Sequence, residues 1–100
     1  MLVKVMVVDI HIPFANSLKD KRRVIKSIKE RTRNKFNVSI SELDGFDLHR
    51  RSSLGVAMIG NDSSYLDQSL DKILDLIYEN YEVEVLEIFR ENRWGSYVWI

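Results

Sequence analysis

The chain has 100 residues and a mass of 11.8 kDa, which fits a single domain spanning residues 1–100. Fifteen Lys and Arg residues balance fifteen Asp and Glu residues, so the chain as a whole is not a generic polycation. Because the sequence has no cysteine, it excludes disulfides, thiolate nucleophiles and Cys-ligated zinc or iron–sulfur clusters.

The N-terminal segment predicts a buried strand over residues 2–12. It is apolar nearly throughout and rich in Val and Ile, which is typical of a strand covered on both faces. Lys4 and Asp9 interrupt the segment, and it is too short to cross a bilayer and lacks a signal-peptide cleavage site. We therefore expect a soluble cytoplasmic protein without a membrane partner. Pro13 ends the strand, because proline cannot donate to a sheet.

A helix is predicted from about Ser17 to Lys35. Asn16 and Ser17 are N-cap candidates, and Asp20 lies in the first turn, where the helix dipole favours an anion. At about 100° per residue, the apolar side chains cluster on one side of this helix. The opposite arc of about 120° is cationic and contains Lys19, Arg22, Arg23, Lys26, Lys29 and Arg33.

The middle of the chain predicts two further strands. Residues 36–43 alternate around Val38 and Ile40, which indicates a half-buried strand. Asp44 and Gly45 form a turn signal, and we expect residues 46–51 to be a loop. A second β-rich run covers residues 53–60.

The last third predicts a second helix, a strand and an aromatic tail. After capping candidates at residues 61–64, apolar side chains at spacings of three and four continue to Tyr81. Beside this stripe lies an acidic row, which we interpret as a solvated face: Asp67, Asp71, Asp75 and Glu79. Residues 82–90 begin as an alternating strand, and residues 94–100 predict an extra β tail.

The element order βαββαβ predicts a ferredoxin-like α+β sandwich with an antiparallel four-stranded sheet. Both helices lie on one face, so a partner subunit or the tail must cover the second apolar face. We predict a homodimer joined through the sheet face, the tail or both, with Trp94, Tyr97 and Trp99 at the interface.

Four blocks of residues resemble a known family: His11-Ile12-Pro13, Ser17-Leu18-Lys19-Asp20-Lys21-Arg22, Phe36-Asn37-Val38-Ser39 and Leu54-Gly55-Val56. This combination resembles the YlxP-like family of uncharacterised bacterial proteins, over residue 1 to about residue 90. The resemblance implies a small ferredoxin-like protein with no assigned activity and no established catalytic residues. Genes of this family often lie among those for translation initiation and ribosome maturation, which implies a connection with RNA.

The charge distribution predicts an electrostatic partner. Residues 1–51 carry a formal charge of +6 and residues 52–100 a charge of −6. Because Lys and Arg release counterions when they contact phosphates, the cationic helix predicts binding of structured RNA or a ribonucleoprotein, with the ribosome as a candidate. Arg50 and Arg51 extend this surface. The first and third strands have no aromatic residues and the chain has no GxxG loop, so we expect recognition of shape and charge.

Three alternatives stand beside RNA binding. The cationic face could be solvated, or neutralised by the acidic row of the second helix. It could also dock an acidic protein surface, in a homodimeric interaction or structural module with no nucleic-acid role. The pairs Asp9/His11 and Asp47/His49 could form a metal site or an acid/base pair, although backbone capping by His11 and solvent exposure of His49 explain them better. We expect no enzymatic activity, metal or cofactor.

Overall fold

A computed structural model of the chain describes residues 1–94, and the side chains of residues 1–92. The element order is β1 (Leu2–His11), α1 (Leu18–Lys35), β2 (Ser39–Asp44), β3 (Arg51–Gly60), α2 (Ser63–Tyr78) and β4 (Glu84–Trp94). The strands form one sheet in the order β2-β3-β1-β4, and every neighbouring pair is antiparallel. This topology confirms the predicted ferredoxin-like sandwich, with β1 and β3 in the centre.

The hydrophobic core lies between one face of the sheet and the two helices. Each element contributes the apolar residues that its periodicity places on that side. The core includes Met6, Val8 and Ile10 from β1, Leu54 and Val56 from β3, Val24 and Ile28 from α1, and Leu70, Ile73 and Ile77 from α2. Within the described residues, neither helix combines the length and apolar character that a membrane crossing requires.

Within the described residues of one chain β1 is buried on only one face, and the predicted cover of its second face by a partner or the tail stays a prediction. Burial alternates along the strand, so Met6, Val8 and Ile10 are buried whereas neighbouring residues such as Val5 and Val7 are half-buried. The reason is that both helices pack on the same side of the sheet. We refer to the other side, which carries Val5 and Val7, as the open face.

Several element boundaries differ from those predicted. Phe36 is the C-cap of α1, with its N–H donating to the carbonyl of Thr32, so β2 begins only at Ser39. Arg51 is the first residue of β3 and does not lie in the preceding loop. Tyr81 does not continue the apolar stripe of α2, because that helix ends at Tyr78, and Tyr81 is 88% exposed.

The C-terminal prediction is only partly covered by the structure. Strand β4 runs beyond Arg90 to Trp94, which is the last residue that the structure describes. Tyr97 and Trp99, which were predicted to lie at a dimer interface, are outside the described residues.

A candidate nucleic-acid interface on the first helix

An N-cap stabilises the start of helix α1, and the buried side of the helix packs against the sheet. The hydroxyl of Ser17 accepts from the N–H of Asp20 at 3.1 Å, which satisfies one of the unpaired donors of the first turn. The carboxylate of Asp20 accepts in turn from the N–H of Asn16 at 3.0 Å. Since the apolar side of the helix is buried against the sheet, its cationic side faces outward.

Four of the predicted RNA-binding residues line a groove between α1 and β2. The groove has a volume of about 360 Å³, and its cationic lining consists of Arg22, Lys26, Lys29 and Arg33. Arg33 also donates from Nη2 to the carbonyl of Ile40 at 2.9 Å, which ties the end of α1 to β2. We call this site the α1–β2 groove.

Two carboxylates also line the α1–β2 groove, and both have cationic partners. Glu30 lies 3.9 Å from Lys26, one helical turn away. Glu42 of β2 forms a 2.6 Å salt bridge with Lys21, whose side chain is buried. Because Lys21 neutralises Glu42 from inside the protein, Glu42 does not cancel the charge of the exposed cations.

Buried Lys21 is a part of this site that the sequence analysis did not single out. Its ammonium also donates to the carbonyl of Gly45 at 2.5 Å, and Ser52 donates to Glu42 at 2.6 Å. At about 100° per residue, Lys21 falls on the same side of α1 as Val24, Ile28 and Thr32. The helical period therefore predicts that Lys21 is buried.

Arg23 and Lys19 lie outside the groove. Arg23 donates to Glu82 from Nη2 at 2.7 Å and from Nη1 at 3.4 Å, which connects α1 to the segment before β4. This hydrogen bond and the negative charge of Glu82 raise the pKa of Arg23 above its ordinary value, so it remains cationic. Lys19 is exposed in the first turns of α1.

The structure brings Arg50 to the helix but not Arg51. Arg50 donates from Nε to the carbonyl of Ala15 at 3.1 Å and from Nη2 to the side chain of Asn16 at 3.4 Å. It therefore extends the basic surface around the start of α1. Arg51 pairs in register with His11 at one end of the sheet.

Two residues of the acidic row of α2 pair with the sheet, whereas Asp75 and Glu79 line a surface pocket together with Lys35 of α1. Asp71 accepts from Arg90 of β4 at 2.6 Å, and Asp67 lies 3.1 Å from Lys4 of β1. Asp67 and Asp71 are also largely exposed, so the row is a solvent-facing surface in which these two residues have cationic partners from the sheet. The carboxylates that line the α1–β2 groove, Glu30 and Glu42, come from α1 and β2 and not from α2.

The two Asp/His pairs do not assemble into one site. Asp9 accepts a hydrogen bond from Ser53, and His11 Nδ1 lies 3.1 Å from Glu84 Oε2. Asp47 and His49 are exposed in the β2–β3 loop. Among the described residues, no group of three or more His, Asp or Glu side chains has a metal-binding arrangement.

The comparisons with known proteins bear on the family and the fold. A family model described as a protein of unknown function, DUF503, matches residues 3–90. The chain belongs to this family. It is also 41% identical over 70 residues to the uncharacterized protein YlxP of Bacillus subtilis (strain 168), a match that covers 70% of this chain and 76% of that protein. The predicted YlxP-like membership is confirmed, and the matched region contains the α1–β2 groove.

Two solved structures of designed proteins are similar to the chain. The de novo designed protein Foldit4 is 16% identical, with a TM-score of 0.57, and the match covers 96% of this chain and all of that one. The de novo designed protein LFR1 1 with ferredoxin fold is 13% identical, with a TM-score of 0.49, over 95% of this chain and 87% of that one. At such identity, the likeness to Foldit4 concerns the fold alone.

Proposed function

We propose that this protein is a non-enzymatic cytoplasmic module that binds structured RNA or a ribonucleoprotein, with the ribosome as a candidate, through the α1–β2 groove. The observation that carries the proposal is a row of four cations, Arg22, Lys26, Lys29 and Arg33, on one exposed side of α1. Asp67 and Asp71 of α2 bond to the sheet, and the carboxylates that line the groove come from α1 and β2.

The spacing of the four cations favours an extended polyanion. Arg22 and Lys26, like Lys29 and Arg33, are four residues apart, so like charges are neighbours on the helix surface and repel one another mildly. From Arg22 to Arg33 the row spans about 17 Å at 1.5 Å per residue. A phosphate backbone running along α1 would relieve this repulsion and release counterions.

The predicted mode of recognition is shape and charge. On the open face, the central strands carry Val3, Val5 and Val7 on β1 and Ser53, Gly55 and Ala57 on β3. These positions lack the aromatic platform on which an RRM stacks bases. The groove therefore fits the backbone of a folded RNA better than a series of unstacked bases.

The test is a fluorescence-anisotropy titration with a ribosomal RNA fragment. The groove variant carries Arg22→Glu, Lys26→Glu and Lys29→Glu. The control variant carries Arg31→Glu, Lys35→Glu and Lys72→Glu, which are exposed residues outside the groove and give the same change in net charge. We expect at least a tenfold loss of affinity for the groove variant and less than a threefold loss for the control, with both variants folded by circular dichroism.

Each other outcome contradicts a defined part of the proposal. An equal loss in both variants would show that net charge, and not the α1–β2 groove, governs binding. No RNA binding by the wild type at low salt would overturn the function. In that case a purified acidic protein whose binding is lost only in the groove variant would favour the alternative, a protein-interaction module.

A further inference from the structure

The open face of the sheet is an apolar surface that the two helices leave uncovered. In the described part of the chain, α1 and α2 both pack on the opposite side. Ile59, Phe89 and Leu43 are 67%, 56% and 51% exposed. Ile59 pairs in register with Val3, and Phe89 pairs with Val7, so these side chains belong to one continuous apolar surface.

The open face has a raised half and a shallow half. The raised half lies on β1 and β4 and consists of Val5, Val7 and Phe89, which we call the ridge. The shallow half lies on β2 and β3, where small residues pair in register: Ser39 with Ala57, and Ser41 with Gly55. We call Ser39, Ser41 and Ala57 the trough.

Bulky side chains limit the trough at both ends. Leu43 leans over Gly55, since a Cβ built at Gly55 would lie 2.5 Å from the Cδ1 of Leu43, so a larger residue there would displace the Leu43 side chain. Ile59 follows Ala57 on the same side of β3. The trough is therefore a short stretch of small side chains beside the ridge, between Leu43 and Ile59.

We propose that the open face binds a second copy of this chain, so that the ridge of each copy fills the trough of the other. The strand order β2-β3-β1-β4 makes the face self-complementary. A two-fold axis parallel to the strands, running between β1 and β3, places β1 and β4 of one copy over β3 and β2 of the other. Such an interface uses the same patch on both subunits, as closed dimers do.

The size of the open face is sufficient for a specific dimer. Strands about 4.8 Å apart and roughly 33 Å long give a four-stranded face of roughly 600 Å² per copy. Two copies would bury roughly 1,200 Å², which reaches the range of specific protein interfaces. Apolar residues of β1 and β3 lie at the centre of this surface, Asp9 follows Val7 on the same side of β1, and Glu87 and Glu91 lie on either side of Phe89 on the edge strand β4.

This dimer is independent of the proposed RNA function. Helix α1 lies on the side of the sheet opposite to the open face, so both α1–β2 grooves would point outward from the dimer. A variant that separates the subunits therefore leaves the groove intact, and a variant of the groove leaves the dimer intact.

The test is the mass of the full chain in solution, measured by light scattering coupled to size exclusion. We expect about 24 kDa for the wild type, twice the 11.8 kDa of one chain. Ser41→Arg places a charged side chain in the trough, and we expect it to give about 12 kDa. Ser41 is exposed on the edge strand β2, so the monomer should fold. Gln68→Arg on the exposed side of α2 is the matched control and should remain dimeric.

A second trough variant and a truncation complete the design. Ser39→Arg should repeat the effect of Ser41→Arg, and urea unfolding checks that each variant folds. A wild-type mass of about 12 kDa would overturn the proposal. So would a dimer that survives both trough variants, because another surface, such as the edge of β4, would then join the subunits. A monomer that associates only when residues 95–100 are removed would identify those residues as the cover of the open face, again overturning the proposal.

Discussion

Lys21 of α1 and Glu42 of β2 form a salt bridge of 2.6 Å in which the lysine is 1% exposed. The same ammonium donates to the carbonyl of Gly45, the residue with a left-handed φ of 80° that begins the β2–β3 loop. One buried charge thus joins the helix, the sheet and the loop that carries Arg50.

We expect Lys21→Met to destabilise the protein by about 2–3 kcal/mol. The substitution leaves the mostly buried carboxylate of Glu42 without its cation, and the remaining solvent contact of Glu42 keeps the cost below that of a fully buried pair. Lys19→Met is the matched control, because Lys19 is exposed on the same helix and should change stability by less than about 0.5 kcal/mol. Urea unfolding measures both. Equal stability of the two variants would contradict a structural role for the salt bridge.

The cap of α1 predicts a second difference in stability. Ser17→Ala removes the acceptor for the N–H of Asp20 and should cost about 1 kcal/mol. Ser27→Ala, in the middle of the same helix, should be neutral or stabilise slightly, because alanine has the higher helix propensity. Thermal unfolding followed by circular dichroism compares the two. The prediction is wrong if Ser27→Ala is the more destabilising change.

The acidic row of α2 should divide into residues that matter for stability and residues that do not. Asp71→Asn breaks the 2.6 Å contact with Arg90 and should cost about 0.5 kcal/mol at low salt. Asp75→Asn, one turn further on, should be neutral or slightly stabilising because it removes a like charge four residues from Asp71. Screening at about 1 M salt should reduce both effects. Unfolding at two salt concentrations checks this, and an Asp75→Asn variant less stable than Asp71→Asn would contradict it.

The fold was predictable because each element follows a local pattern. Ser17 and Asp62 act as the N-caps of α1 and α2, and the alternation of burial along β1 follows from its two-residue period. The topology placed both helices on one side of the sheet, but the sequence does not show what covers the face of β1 that carries Val5, because the residue types on both sides of that strand are equally apolar. Residue type alone does not distinguish a face covered by helices from one covered by a partner.

The candidate site was only partly predictable because its charges are set by tertiary partners. The helical period places Arg22, Lys26 and Lys29 together. Arg23 instead forms a salt bridge with Glu82, which is 59 residues away in the sequence. Lys4 is another example: it lies on the core side of β1 and is buried, and its partner Asp67 comes from α2. Pairings across such separations depend on the folded topology, which short-range patterns do not contain.

The dependence of RNA binding on salt is the sharpest check on how many cations act in the groove. If Arg22, Lys26, Lys29 and Arg33 each neutralise one phosphate of a duplex, the logarithm of the binding constant should fall with the logarithm of the salt concentration with a slope of about −3.6. Lys29→Gln should reduce the magnitude of this slope by about one, because one counterion fewer is released. Lys72→Gln, on the exposed side of α2, should leave the slope unchanged. The measurement is a series of anisotropy titrations between about 50 and 200 mM salt. A slope that Lys29→Gln and Lys72→Gln alter equally would place the bound phosphates outside the α1–β2 groove.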